Sequence, residues 1–209
     1  MSSHPSDQRG KLFTVVVLAA VAILLFFSYK SWRLAETRVV APLPRIGKVP
    51  GFLFIDQDGH SLGSAELKGK IWVADFICTQ CPGPYAMLSS HFAELDRNFS
   101  RSDDLRLVSF TLDPDYDTPS VLKRYAQRYE ASARWRFVTG NKKQIEDLAI
   151  TGFQGQAKTS GSELIHFGTT TFALVDGEGV IRAYYDGSSA EAVQRLLTDL
   201  GTLLRASGK

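Results

Sequence analysis

Residues 71–99 read IWVADFICTQCPGPYAMLSSHFAELDRNF. The first seven, Ile71–Ile77, form an apolar run interrupted only by Asp75, the pattern of a strand buried on both faces. From Pro84 to Phe99 the period changes: Met87, Leu88, Phe92, Leu95 and Phe99 recur at helical spacing. A buried strand feeding a helix through a short Cys/Gly/Pro loop predicts a layered α/β domain. The chain's two cysteines, Cys78 and Cys81, both fall in that connection.

Outward from this unit the pattern stays mixed. Phe52–Ile55 and Ser61–Leu62 flank Gln57-Asp58-Gly59, a hairpin signal, and Leu105–Leu112 is a second inner strand. Pro119–Tyr129 reads as a helix with Thr118 as N-cap and Pro119 at its first position. Lys142–Ala149 is a short helix. Thr171–Val175 and Val180–Tyr185 flank Asp176-Gly177-Glu178-Gly179 as a second hairpin, and Ala190–Leu204 is a closing amphipathic helix. Alternating strands and helices, then a hairpin, then a helix give the thioredoxin-like arrangement: a mixed central sheet with helices on both faces.

Composition narrows the function. Of 209 residues, 24 are Lys or Arg and 22 Asp or Glu, for a formal charge of +2; hydrophobic residues make up 44%. Values so close to the globular average exclude a disordered or acidic-tail protein, and the lack of a basic cluster argues against nucleic-acid binding. After a polar tail at 1–11, the stretch Leu12–Tyr29 (LFTVVVLAAVAILLFFSY) carries no charge over 18 residues. At about 1.5 Å per residue it nearly matches a hydrocarbon core of about 30 Å, with Tyr29, Lys30 and Trp32 at the interface. A signal peptide has a shorter apolar run and a small-residue cleavage site, so the expectation is an uncleaved transmembrane anchor at 12–29. Residues 30–46, with Pro42 and Pro44, read as a linker, and 47–209 as one domain. Flanking charge does not fix the topology: Arg9 and Lys11 precede the span, while Lys30, Arg33, Arg38 and Arg45 follow it.

Chemistry concentrates at the cysteines. A thiol just ahead of a helix feels its positive end and gains thiolate character, which serves both as redox nucleophile and as soft metal ligand. Two geometries remain open for Cys78 and Cys81. An extended chain holds their Cα atoms roughly 10 Å apart, at about 3.4 Å per residue. A tight loop brings both sulfurs onto one partner or one metal, and a disulfide needs the Cα atoms within about 7 Å. Asp113, Asp115 and Asp117 (in DPDYDTP) superficially resemble a cation loop. An EF-hand needs Gly at its sixth position and Glu at its twelfth, where this chain has Thr118 and Arg124, so the segment reads instead as a turn entering the next helix. GEG and GFQG lack the strand–loop–helix frame of a phosphate loop. His60, in a hairpin, and His91, in a helix, read as solvated; His4 lies in the tail.

Four stretches resemble the Sco/SenC family, membrane-anchored thioredoxin-like proteins associated with copper delivery to cytochrome c oxidase: WVADFICTQCPGPYAMLSSHFAEL, VSFTLDPDYDTPSVLKRYAQRY, RWRFVTG and HFGTTTFALVDGEGVIRAYYDG. The family motif has two cysteines with three residues between them, then Pro, and a distant His, and those three side chains bind copper. The resemblance implies that Cys81 and His166 are copper ligands. The second motif cysteine falls on Tyr85, a phenol with pKa near ~10 that is a poor Cu(I) partner, so Cys78 is the candidate third ligand. It also implies a partner: a cytochrome c oxidase subunit or another copper or thiol protein. Two alternatives accompany it. One is a thiol–disulfide oxidoreductase in which Cys81 attacks and Cys78 resolves; the other is a site-impaired member acting by protein contact. Both copper insertion and lasting disulfide chemistry belong in an oxidising compartment. The expected location is therefore the inner membrane, single-pass, with the domain in the periplasm or an equivalent intermembrane space.

Overall fold

The computed structural model describes residues 18–19, 21–30, 43–153 and 170–207. The chain divides into two compact units, Met1–Pro42 and Leu43–Lys209. In the first, the backbone at 18–19 and 21–30 is helical, and Leu18, Ile23, Leu24, Leu25, Phe26 and Phe27 are all exposed. Among the described residues no helix is long and apolar enough to cross a membrane. The remainder of the segment predicted as an anchor, 12–17 and residue 20, lies outside them.

The described residues of the second unit form eight strands: β1 (Gly47–Lys48), β2 (Leu53–Asp56), β3 (Ser61–Gly63), β4 (Ile71–Ile77), β5 (Leu105–Thr111), β6 (Trp135–Thr139), β7 (Thr171–Val175) and β8 (Val180–Asp186). They form one sheet in the order β1-β8-β7-β4-β5-β6-β2-β3. β4–β5 and β5–β6 are parallel, and the outer pairings are antiparallel. The mixed sheet expected from the sequence is therefore present, with two strands that it did not reveal. β1 is only two residues long. β6 alternates inward Trp135 and Phe137 with half-buried Arg136, whose guanidinium reaches Asp56 at 3.1 Å.

Among the described residues four α-helices complete the unit: α1 (Tyr85–Asn98), α2 (Pro119–Arg128), α3 (Lys142–Asp147) and α4 (Ala190–Ala206). One face of the sheet packs against α1, α2 and α4 in a core that includes Val73, Phe92, Leu122, Trp135, Phe172 and Leu196. The other face, with Trp72, Phe76, Phe110 and Phe153, is covered by α3 and the wider π-turn Leu148–Gly152 that continues it. Helices on both faces follow from β4, whose seven residues are all buried. Asn141 caps α3 by accepting from the Gln144 N–H at 3.1 Å, and Ser189 caps α4 by accepting from the Ala192 N–H at 3.3 Å.

Gly187, in the lead-in to α4, passes so close to this core that a Cβ there would sit 2.5 Å from Phe172 and 2.8 Å from Leu88. Its carbonyl meets His91 Nδ1 at 2.6 Å. His91 is thus half-buried and pinned between α1 and the β8–α4 turn, not solvated as its helical position implied. His60 is exposed, as expected.

Phe92 is fully buried, its ring centroid 4.7 Å from that of Phe172 and 5.6 Å from that of Trp135. We expect Phe92→Ala to lower unfolding stability by about 3–5 kcal/mol, the usual loss for a buried aromatic. A urea titration showing less than about 1 kcal/mol would contradict this packing.

Candidate functional site: a paired-cysteine loop at the carboxyl ends of β4 and β5

β4 delivers its chain to the sheet edge at Ile77, whose carbonyl accepts from the Leu112 N–H at 2.7 Å. The parallel ladder thereby extends one step beyond the paired strands, and the loops leaving β4 and β5 start side by side. The β4 loop turns at once. Cys78 and Cys81 have Cα atoms 5.4 Å apart and their sulfurs are bonded, which decides between the two geometries the sequence left open. The two sulfurs differ in access: Cys78 is 2% exposed, whereas Cys81 lies at the surface.

Gly83 follows with φ of 122°, a conformation that L side chains rarely adopt, and this bend leads the chain into α1. Pro84 occupies the cap position and no side chain caps the helix. Tyr85 opens α1 half-buried, and burial raises its phenol above the ordinary tyrosine value.

The loop is braced from the β5 side. Asp117 is fully buried, and its carboxylate accepts from the Thr79 N–H at 3.3 Å, from the Thr111 hydroxyl at 2.5 Å and from the Thr79 hydroxyl. Asp113 accepts from Gln80 Nε2 at 3.0 Å, and its own N–H donates to Thr111 Oγ1 at 2.9 Å. Asp115 is exposed and 3.8 Å from Lys142 Nζ. The three aspartates therefore turn to separate partners, in a segment that the sequence reading took as a turn entering the next helix. That reading saw only a turn at the helix entry and missed that Asp117 points back into the cysteine loop. Thr118 is the N-cap by position, without a side-chain hydrogen bond to the helix backbone.

Asp75 lies three residues before Cys78 and is 1% exposed. By strand alternation it belongs to the layer of Val73 and Ile77, under α1 and α2. Among the described residues neither of its oxygens has a hydrogen-bond partner. Burial pushes its carboxyl up to about 7; Ser109, its cross-strand neighbour, opposes the shift without closing a bond of normal geometry. The Ser109 oxygen accepts instead from Trp135 Nε1 at 2.8 Å.

His166 lies outside the described residues. Among the described residues no group of three or more His, Cys, Asp or Glu side chains converges to hold a metal ion. The site so far comprises one buried sulfur, one accessible sulfur and a carboxylate clamp on the residues between them.

The SCO1/SenC family model matches residues 44–204. The chain belongs to that family. It is 32% identical over 158 residues to the SCO1 protein homolog of Bacillus subtilis (strain 168), covering 73% of this chain and 81% of that protein. BsSco is described as a member of the Sco family of cytochrome c oxidase assembly proteins with a disulfide switch. Its structure superposes with a TM-score of 0.68 at 30% identity, covering 78% of this chain and 97% of that one. Copper-bound ScoI of Bradyrhizobium japonicum shares the fold at a TM-score of 0.58 and 24% identity, over 72% of this chain and 97% of its own.

The Asp75 carboxyl makes stability depend on pH. Between the ordinary value of 3.8 and about 7 the native state keeps a proton that the unfolded chain has lost. Stability is therefore greatest at the acid end of this window, falls as pH rises through it by up to about 4 kcal/mol, and is level above it. In urea titrations at pH 5 and pH 8, Asp75→Asn should remove the part of the decline that this group causes. The same decline in both proteins would show that Asp75 ionises normally.

Proposed function

We propose that this chain is a membrane-associated Sco protein that handles copper for the assembly of a cytochrome c oxidase copper centre, with Cys78 and Cys81 as its working pair. The observation that carries the reading is the meeting of the two sulfurs, with Cα atoms 5.4 Å apart, at the edge of a Sco-family sheet. Once reduced, two thiolates on one short loop form a soft donor set suited to Cu(I), and His166 would supply a neutral imidazole as third ligand. On this reading Tyr85 stands where the family motif has its second cysteine, and Cys78 takes its place from the other side of Cys81. Segment 12–29 would be the anchor, in the inner membrane, with the folded unit in the periplasm or an equivalent intermembrane space. The disulfide switch described for BsSco and the copper described in the Bradyrhizobium protein support the two halves of this proposal.

The test is an anaerobic Cu(I) titration of the full chain in detergent micelles. The reduced protein should take one equivalent and the disulfide form none. Cys81→Ser and His166→Ala should each lose binding, and Tyr85→Cys should tighten it. Reduced protein that binds no copper would overturn the reading.

A second reading is favoured by the unequal access of the sulfurs. A thiolate from a partner protein attacks Cys81 Sγ, the Cys78–Cys81 bond breaks, and Cys78 leaves as a thiolate that takes up a proton. In reverse, the Cys81 thiolate attacks a partner disulfide and Cys78 resolves the mixed disulfide. With Cys78→Ser, mixed disulfides should accumulate at Cys81. Accumulation at Cys78 in a Cys81→Ser protein would assign the opposite roles.

A further inference from the structure

We propose that Asp117 is the positioning residue of the cysteine pair: by fixing Thr79 between the two cysteines, it holds their loop closed and sets how readily the disulfide opens. The inference rests on the reading of Cys78 and Cys81 as a pair that cycles between dithiol and disulfide. It goes beyond that reading in assigning control of the cycle to a residue on another loop.

The geometry is specific. Only Thr79 and Gln80 separate the cysteines, and both are tied to the segment after β5: Thr79 by its N–H and hydroxyl to Asp117, Gln80 by its amide to Asp113. Asp117 is itself held, by the Thr111 hydroxyl and by its own N–H on the Asp113 carbonyl at 2.8 Å. A fully buried carboxylate accepting three hydrogen bonds is a strong and inflexible brace. Its partners leave little freedom for residue 79, and a loop of two intervening residues closes or opens on the backbone angles of those two. Bracing that favours the closed loop favours the disulfide over the dithiol, because forming the bond then requires less ordering.

Full-length protein in detergent micelles is equilibrated with glutathione buffers, and the thiol state is read by alkylation and mass spectrometry. Asp117→Asn puts an amide donor where donors converge. It should shift the equilibrium about tenfold toward the dithiol, which for this two-electron couple is about 30 mV. Thr79→Val keeps the carboxylate's charge and removes one donor, so a shift of about threefold with this variant identifies positioning rather than charge as the cause. Thr79→Ser, which keeps the hydroxyl, should behave as wild type.

A residue that merely supports the fold would lower the stability of both redox forms equally. Positioning instead narrows the gap between the urea midpoints of the disulfide and dithiol forms. Unchanged equilibria in Asp117→Asn and Thr79→Val, or equal destabilisation of both forms, would overturn the inference and leave the dithiol reading intact. Wild-type cysteines that never reopen and reclose reversibly would overturn that reading and this inference together. Should Asp117→Asn fail to fold, Thr79→Val against Thr79→Ser decides.

Discussion

The parallel pairing of β4 with β5 is the constraint on which the site depends. Both strands are buried almost throughout, so their backbone groups must be satisfied by each other and by their outer neighbours. Seven residue pairs in parallel register bring both carboxyl ends to one edge, and the Leu112–Ile77 hydrogen bond carries the ladder one step further. Two loops far apart in sequence are thereby forced to leave the sheet in contact. In open α/β sheets the crevice outside the carboxyl ends of the strands is where ligands bind. Here that edge carries an accessible sulfur, a buried one and a carboxylate that grips the chain between them.

Two buried aspartates flank this edge and illustrate opposite solutions to one problem. Asp117 is met by hydrogen-bond donors: three of them replace the water it has lost, and burial then adds rigidity. Asp75 has no such donors among the described residues, so the cheaper course is to keep its proton. A neutral carboxyl in an apolar layer still costs more than a leucine would. Its tolerated presence three residues before the cysteines fits a region where the fold has not been optimised for stability alone.

Much of the fold was legible because long apolar runs leave little choice. Ile71–Ile77 and Leu105–Leu112 could only be inner strands, and the Asp-Gly turns at 58–59 and 176–177 marked both hairpins. β6 was hidden because Arg136 and Arg134 interrupt a short run, and their roles appear only when Asp56 and Asp96 are seen beside them. The π-turn after α3 has no compositional signature. The cysteine pair lay at the limit of local reasoning, since the span from Cys78 to Cys81 allows an extended path as readily as a closed one. What closes it is a threonine–aspartate contact across 38 residues of sequence, which no local pattern encodes. Asp117 was misread for the same reason. An acidic residue just before a helix has an adequate local explanation, and only the buried β5 edge turns it inward. His91 likewise looks solvated on a helical wheel until the β8–α4 turn is laid across it.

The unequal burial of the two sulfurs bears on why one pair would serve both redox and metal chemistry on the proposed reading. A thiolate in a site as closed as that of Cys78 is penalised by desolvation, and the exposed Cys81 is the sulfur that an incoming reactant can reach. Two events relieve the penalty. Bonding to Cys81 removes the need for charge altogether. A bound cation compensates the charge and drives the proton off, as metal binding to thiols generally does. An exposed pair would ionise without either and would discriminate poorly among partners. A pair buried on both sides would be reached by none. Placing one sulfur at the surface and the other just beneath it, on a loop whose closure is braced from a neighbouring strand, makes the inner sulfur's state depend on what has arrived at the outer one.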